Sequence, residues 1–227
     1  MLNFSRALII AAHPDDDVLG CGGTIAKLIN LGKKVRVIFI AEGTSCRFDY
    51  KEQHYLNDIE IRNNCAVEAL KVLGVDDFMF YNLACGRLDT KPIIDIAKIV
   101  EKEIVNFLPD TIFTHYFNDT HVDHKIVFQA TLQATRPTGK SIVNNLLSFE
   151  ILSSTEWKYT DSFGPNFFVD ISDTIDKKIL SINKYFTEQP SFPHPRSDKV
   201  IKSLAIFRGS QSNCHYAESF KLIRSFN

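Results

Sequence analysis

The sequence predicts an α/β fold built on a parallel sheet. Short apolar runs alternate with longer amphipathic stretches four times through the first part of the chain. The runs are continuous rather than alternating, as expected of strands buried on both faces. Glycine stands directly after two of the amphipathic stretches, at Gly32 and Gly74, where helices commonly stop. Strand then helix, repeated, is the signature of a sheet with helices packed on it.

In order, Leu8 to Ala12 reads as a buried strand, and Thr24 to Leu31 as a helix with Ile25, Leu28 and Ile29 on one face. Val35 to Ala41 is the second strand, and Asp58 to Leu73 a helix carrying Ile59, Ala66, Ala69, Leu70 and Leu73 at helical spacing. Phe78 to Tyr81 is a third, shorter strand. Pro92 to Phe107 is a helix with proline in its first turn, and Thr111 to His115 the fourth strand. The pattern changes after residue 145. Leu146 to Ile151 and Asn166 to Ile171 read as strands, Thr174 to Phe186 as a helix, and, beyond Pro190, Pro193 and Pro195, Asp198 to Phe207 and Tyr216 to Ser225 as helical segments. The expected organisation is one domain over residues 1–227, with a core of about 1–145 and an α/β extension of about 146–227 folded onto it.

Composition narrows the function. Twenty-six Lys and Arg against 27 Asp and Glu leave a net charge of −1, with no basic excess to neutralise phosphates, so nucleic acid is not an expected partner. No apolar run approaches the ~20 residues of a membrane span, and the start of the chain lacks the basic and small-residue marks of a signal peptide, so a cytoplasmic protein is expected. Five cysteines without a Cys-x-x-Cys pair fit neither a disulfide framework nor a four-cysteine zinc site. Reduced thiols are the expectation.

In parallel sheets the ligand site lies beyond the carboxyl ends of the strands. Two histidine–carboxylate clusters stand there. His13-Pro14-Asp15-Asp16-Asp17 follows the first strand, and three crowded carboxylates repel unless a cation or donors compensate them. His121-Val122-Asp123-His124 follows the fourth. If a helix starts there, with Asp119 or Thr120 as its cap, His121 and His124 face the same cavity. Histidine and carboxylate ligands are those of a catalytic zinc with an open position for water, and the pattern is not the His-Glu-x-x-His of zincin proteases. Two histidines and one carboxylate also describe a ferrous iron site.

Ala-His-Pro-Asp-Asp, then Gly22-Gly23-Thr24, then His-x-Asp-His about a hundred residues on, resembles the PIG-L (LmbE-like) zinc N-deacetylases. The helix with Arg62 that ends Leu73-Gly74-Val75 is similar to theirs. So are His194-Pro195-Arg196-Ser197, Arg208-Gly209 and Tyr216-Ala217-Glu218-Ser219-Phe220. The resemblance implies a Rossmann-like α/β fold with helices on both faces, and removal of acetyl groups from N-acetylglucosamine-type sugars or their conjugates. It makes His13, Asp16 and His124 the metal ligands, Asp15 the general base, and His121, supported by Asp123, the acid or oxyanion stabiliser. Zinc is the expected ion, with ferrous iron able to substitute. The family usually has Glu where this chain has Asp17, which bears on local contacts rather than on the ligands.

Hydrolysis of an amide needs an activated water, a stabilised oxyanion and a proton for the departing amine. A metal and a nearby carboxylate supply the first, and an imidazolium held by Asp123 would serve the others. Other readings of the same residues are a different amide or ester hydrolase, and a sugar- or nucleotide-binding module without catalysis. Gly20-Cys21-Gly22-Gly23 does not spell a phosphate-binding motif, so these glycines are expected to let the first helix approach the sheet, and Cys21 to serve packing. Arg62, His194 and Arg196 are candidate substrate contacts. Arg208 and Glu218 are candidates for an internal ion pair, His115 for a core histidine, and His54 and His215 for surface positions. Selectivity is expected from loops 43–57, 82–91 and 187–197. The expected partner is a small N-acetyl amino-sugar conjugate, and a homo-oligomer is compatible with the sequence.

Overall fold

A computed structural model describes residues 4–48, 55–138, 143–188 and 190–226. The elements run β1 (Arg6–Ala11), α1 (Asp16–Asn30), β2 (Lys34–Ala41), α2 (Tyr55–Leu73), β3 (Phe78–Leu83), α3 (Ile93–Phe107), β4 (Thr111–His115), α4 (Val122–Ala134), β5 (Asn145–Phe149), β6 (Phe167–Asp170), α5 (Ile175–Ile182), α6 (Asp198–Ser210) and β7 (Ala217–Ser225). They form a seven-stranded sheet in the order β3-β2-β1-β4-β5-β7-β6. The first five of these are mutually parallel, and β7 runs antiparallel to both β5 and β6. The fold is α/β, as expected, and the strand at 145–149 is the fifth parallel member of the sheet.

The continuous apolar runs have a two-sided explanation. On β1, Ala7, Ile9 and Ala11 enter one core with Phe39, Phe113, Phe149 and the buried faces of α1 and α2. Leu8 and Ile10 enter the other, with Ile38, Ile40, Ile112, Ile96 and Val127. Side chains alternate across a strand, so a run apolar at every position is what two covered faces require. Among the described residues no helix is long and apolar enough to cross a membrane.

Three expectations need correction. Within the segment expected as helical from Tyr216 to Ser225, Ala217–Ser225 form a strand, because β7 fills the gap between β5 and β6 and pairs with both. The first helix begins at Asp16 rather than Thr24 and breaks at Cys21, whose φ of −149° is not helical. Arg208 and Glu218 are not partners. Arg208 binds Glu150 through Nε and Nη2, both at 2.8 Å, while Glu218 binds Lys178 at 2.6 Å.

The glycines behave as the sequence implied. A Cβ on Gly20 would lie 2.4 Å from the Phe149 ring, and one on Gly23 2.8 Å from Ile171, so only glycine lets α1 lie this close to the sheet.

Candidate metal centre and active site

β1 and β4 are neighbours in the sheet, which brings the loops at their carboxyl ends together although they are about a hundred residues apart in sequence. After β1 the chain turns sharply. Asp15 takes φ 112°, a backbone region sparsely used by non-glycine residues. α1 starts at the next residue, and the Asp16 Oδ2 atom accepts the His13 N–H at 2.9 Å. After β4, His121 itself caps α4, its Nδ1 accepting the Asp123 N–H at 3.2 Å. Asp119, expected as a cap, instead accepts the His121 N–H at 2.7 Å.

His13, Asp16 and His124 meet in a buried group. Asp16 Oδ2 lies 3.3 Å from His13 Nδ1 and 3.4 Å from His124 Nε2. Two atoms each ~2.0–2.1 Å from a tetrahedral ion such as zinc are separated by about 3.3–3.4 Å, so the spacings fit. The buried Asp16 Oδ1 has no hydrogen-bond partner among the described residues, and an unpaired buried carboxylate oxygen calls for a cation. Each imidazole also has a carboxylate behind it. Asp123 Oδ2 is 2.9 Å from His13 Nε2, and Asp119 Oδ1 is 3.2 Å from His124 Nδ1. Such carboxylates fix which ring nitrogen faces a metal.

The electrostatics agree with a cation. Burial lowers the His13 pKa, but Asp123 and Asp16 outweigh it and push the group up to about 10. His124 is raised against burial by Asp16 and Asp119. Burial raises Asp16, yet His124 and His115 hold it well below the usual carboxylate range. In this cluster protons occupy the role that a metal ion would take over.

His121 departs from the expectation. Burial, followed by the nearby His13 and His124, pushes it down to about 4. The Asp123 carboxylate that was to support an imidazolium at His121 faces His13 instead and accepts the N–H groups of Gly86 at 2.6 Å and Leu88 at 3.1 Å. His121 is therefore a neutral ring near pH 7. With Nδ1 accepting, its Nε2 carries the proton and acts as a donor.

Asp15 is buried, and its Oδ2 is gripped by Arg62 Nη2 at 2.8 Å and Arg196 Nη1 at 2.7 Å. Burial nevertheless raises its pKa, the two guanidiniums offsetting only part of the effect. Arg62, 3% exposed, also donates to the Pro14 carbonyl at 2.9 Å and lies 2.5 Å from Glu188. It braces Asp15 from within the protein and also lines a smaller pocket with Thr44, Arg47 and Glu188. Arg196 is partly exposed, and its Nε donates to Ser153 at 2.6 Å. His194 accepts the Arg196 N–H at 3.1 Å. With Arg47, Ser153, Trp157 and Glu188 these two line an open cleft of about 480 Å³, from whose wall Arg196 reaches Asp15. Both oxygens of Asp17 lack hydrogen-bond partners among the described residues, and burial together with Asp15 pushes the group up to about 7.

Sequence reasoning missed four participants. Asp119 was read only as a cap. His115 is a core histidine as expected, accepting the Ala12 N–H at 2.8 Å, but it also lies 3.5 Å from Asp16. Ser153 and Trp157 carry no motif that marks them. Of the expected selectivity loops, 187–197 supplies His194 and Arg196 and 43–57 supplies Arg47, while 82–91 supplies the Gly86 and Leu88 N–H groups on Asp123. His54 and residues 49–54 lie outside the described residues.

Comparison with known proteins bears on the family and the fold. A diacetylchitobiose deacetylase of Thermococcus kodakarensis is 25% identical over 96% of this chain and 83% of its own length. An uncharacterized deacetylase of Escherichia coli K12, YaiS, is 30% identical over 78% of this chain and 89% of its own. The crystal structure of the 4-carboxy-2-hydroxymuconate hydratase GalB of Pseudomonas putida KT2440 superposes with a TM-score of 0.79 at 21% identity, over 98% of each chain. That likeness shows the fold, and the fold alone does not fix the reaction. The profile of the GlcNAc-PI de-N-acetylases matches residues 8–135, which hold both histidine–carboxylate clusters. The chain belongs to this family, PIG-L.

Proposed function

We propose that the chain is a zinc-dependent hydrolase that removes the N-acetyl group from an N-acetylglucosamine-type amino sugar or its conjugate, releasing acetate. The observation that carries this reading is the buried set of His13 Nδ1, Asp16 Oδ2 and His124 Nε2 beside Asp15. The family and the deacetylases among the relatives support it. The donor set alone also suits ferrous iron, but amide hydrolysis needs no redox step, and an adjacent base suits a Lewis acid. A cytoplasmic setting accords with five cysteines that are all unpaired.

A bound zinc ion polarises a carbonyl and lowers the pKa of water to about 7. The protein's own groups do the rest. Both guanidiniums engage Oδ2 of Asp15, which leaves Oδ1 to take a proton from the attacking water. The raised pKa makes Asp15 a better base than a surface aspartate and lets it pass the proton on to the departing amine. The neutral His121, locked by the Asp123 N–H on Nδ1, presents Nε2–H to the oxygen that gains charge as water adds. Asp123 and Asp119 orient His13 and His124 from behind. The cleft lined by Trp157, His194 and Arg196 is wide enough to receive a sugar ring.

The test is acetate release from a panel of N-acetyl amino-sugar conjugates with zinc supplied, set against the chelated protein. Zinc-dependent release of acetate is expected. Stoichiometric zinc with no acetate from any member of the panel would point to a different hydrolase, and absence of bound metal to a binding module.

A further inference from the structure

Two cysteines that the sequence separates widely face each other beside the metal centre. Cys46 is exposed in the turn Ser45–Arg47, and Cys85, 2% exposed, lies in the loop after β3. Their Sγ atoms are 3.1 Å apart, about 1 Å more than the ~2.05 Å of a disulfide bond. One buried carboxylate stitches the two loops together. Glu42 Oε1 accepts the Cys85 N–H at 2.8 Å, and its Oε2 accepts the Thr44 N–H at 2.6 Å and the Ser45 N–H at 3.0 Å. The next residue, Gly86, has φ +67°, and a Cβ there would come within 3.1 Å of Cys46 Cβ. The two sulfurs therefore need to close by only about 1 Å to bond. Of the remaining cysteines, Cys21 and Cys65 are buried, and Cys214 lies in the turn before β7 against Ser212 and the Tyr216 carbonyl.

The pair is wired to the metal centre by two hydrogen bonds. Gly86 N–H donates to Asp123 Oδ2 at 2.6 Å, and that same oxygen holds His13 Nε2 at 2.9 Å. A displacement of the Cys85–Gly86 peptide is felt at His13.

We propose that Cys46 and Cys85 form a reversible disulfide on exposure to a peroxide, and that closing this bond impairs the metal centre by pulling the Gly86 N–H away from Asp123. The second half rests on the metal-dependent deacetylase reading, whereas the first stands on the thiol geometry alone. The Cys46 thiolate attacks one oxygen of hydrogen peroxide and breaks the O–O bond, giving a sulfenic acid and hydroxide, which takes up the proton released by the thiol to become water. The Cys85 sulfur, giving up its own proton, then attacks the Cys46 sulfur and expels the hydroxyl as a second water. Two thiols lose two electrons, and one peroxide becomes two waters. The hydrogen bond from Cys85 holds the Cys46 thiol below its ordinary range and favours the thiolate on the exposed member of the pair, while Cys85 keeps its proton until the sulfenic acid forms.

The experiment treats the zinc-loaded protein with hydrogen peroxide and maps its peptides without reduction. A Cys46–Cys85 link, a thiol titre lower by two, and full reversal by dithiothreitol are expected. Cys46→Ser should form no link and keep its basal turnover through the same treatment. Cys46 ending as a sulfinic acid with Cys85 still a thiol, or both thiols surviving peroxide, would overturn the disulfide. Loss of a group that holds a metal ligand from behind weakens metal binding or turnover by about 10–100-fold. The oxidised protein is therefore expected to lose zinc to a chelator, and to slow acetate release, by about tenfold or more. A disulfide that leaves zinc retention unchanged would overturn the coupling. A reduced protein that binds zinc but deacetylates nothing would defeat the functional reading and leave the thiol pair to be judged by mapping and zinc retention.

Discussion

The Oδ2 atom of Asp123 lies 2.9 Å from Nε2 of His13, across 110 positions of sequence, and is held there by the Gly86 N–H at 2.6 Å. The carboxylate therefore sets which nitrogen of His13 faces Asp16. Asp123→Asn keeps the shape and removes the charge. We expect zinc affinity to fall by about 10–100-fold, measured by competition with a chromogenic chelator. Unchanged affinity with collapsed turnover would instead place Asp123 in the chemistry itself.

Asp15 is the group to separate from metal binding. Asparagine tolerates a positive φ, so Asp15→Asn can keep the turn at φ 112°. Turnover should fall by about 10²–10⁴-fold, the usual contribution of a general base, with zinc content retained. A variant that keeps its rate would remove Asp15 from the mechanism.

Gly20 tests the packing role of the glycine-rich segment. Gly20→Ala places a methyl 2.4 Å from the Phe149 ring, which is itself fully buried. Overpacking of this kind destabilises by about 1–3 kcal/mol, to be read from a urea melt. No change in midpoint would show that the ring moves aside freely.

Glu188 gives a pH signature away from His13, Asp16 and His124. Burial raises its pKa, but Arg47 and Arg62 outweigh burial and leave it below its ordinary 4.5. The folded state thus binds this proton less readily than the unfolded state. The stabilisation is present above the unfolded pKa and is lost as pH falls through the folded value. Glu188→Gln should lower the melting temperature near neutrality, and the gap from wild type should close as pH falls below the ordinary 4.5 and through the lowered folded value. A gap that stays constant with pH would mean that the Arg62–Glu188 contact contributes nothing through charge.

Much of the site was legible because its residue types sit in two dense clusters at strand ends. His13 with Asp16, and His124, need only β1 beside β4 to meet. Partner choice was not legible. Asp123 is two residues from His121 and was paired with it, yet a side chain in the first turn of α4 points across the cavity, and its neighbour there is His13. Residues 216–225 were misread for a similar reason. Ala217, Phe220 and Ile223 recur at helical spacing, and a short segment with such a pattern is settled by its surroundings. Here the open edges of β5 and β6 settle it as a strand.

The break in α1 at Cys21 frees the N–H groups of Gly23 and Thr24, which donate to Glu218 at 2.9 and 2.7 Å. Glu218 is in turn neutralised by Lys178, which also donates to the Leu19 carbonyl at 2.8 Å. α1 precedes β7 in the chain, and its second half, beyond the break, is capped from β7 by a residue some 195 positions later. Contacts of such separation form late, after the loop between them has closed. The second half of α1 therefore gains its cap only when β7 joins the sheet, so the longest-range strand of the fold also finishes its first helix.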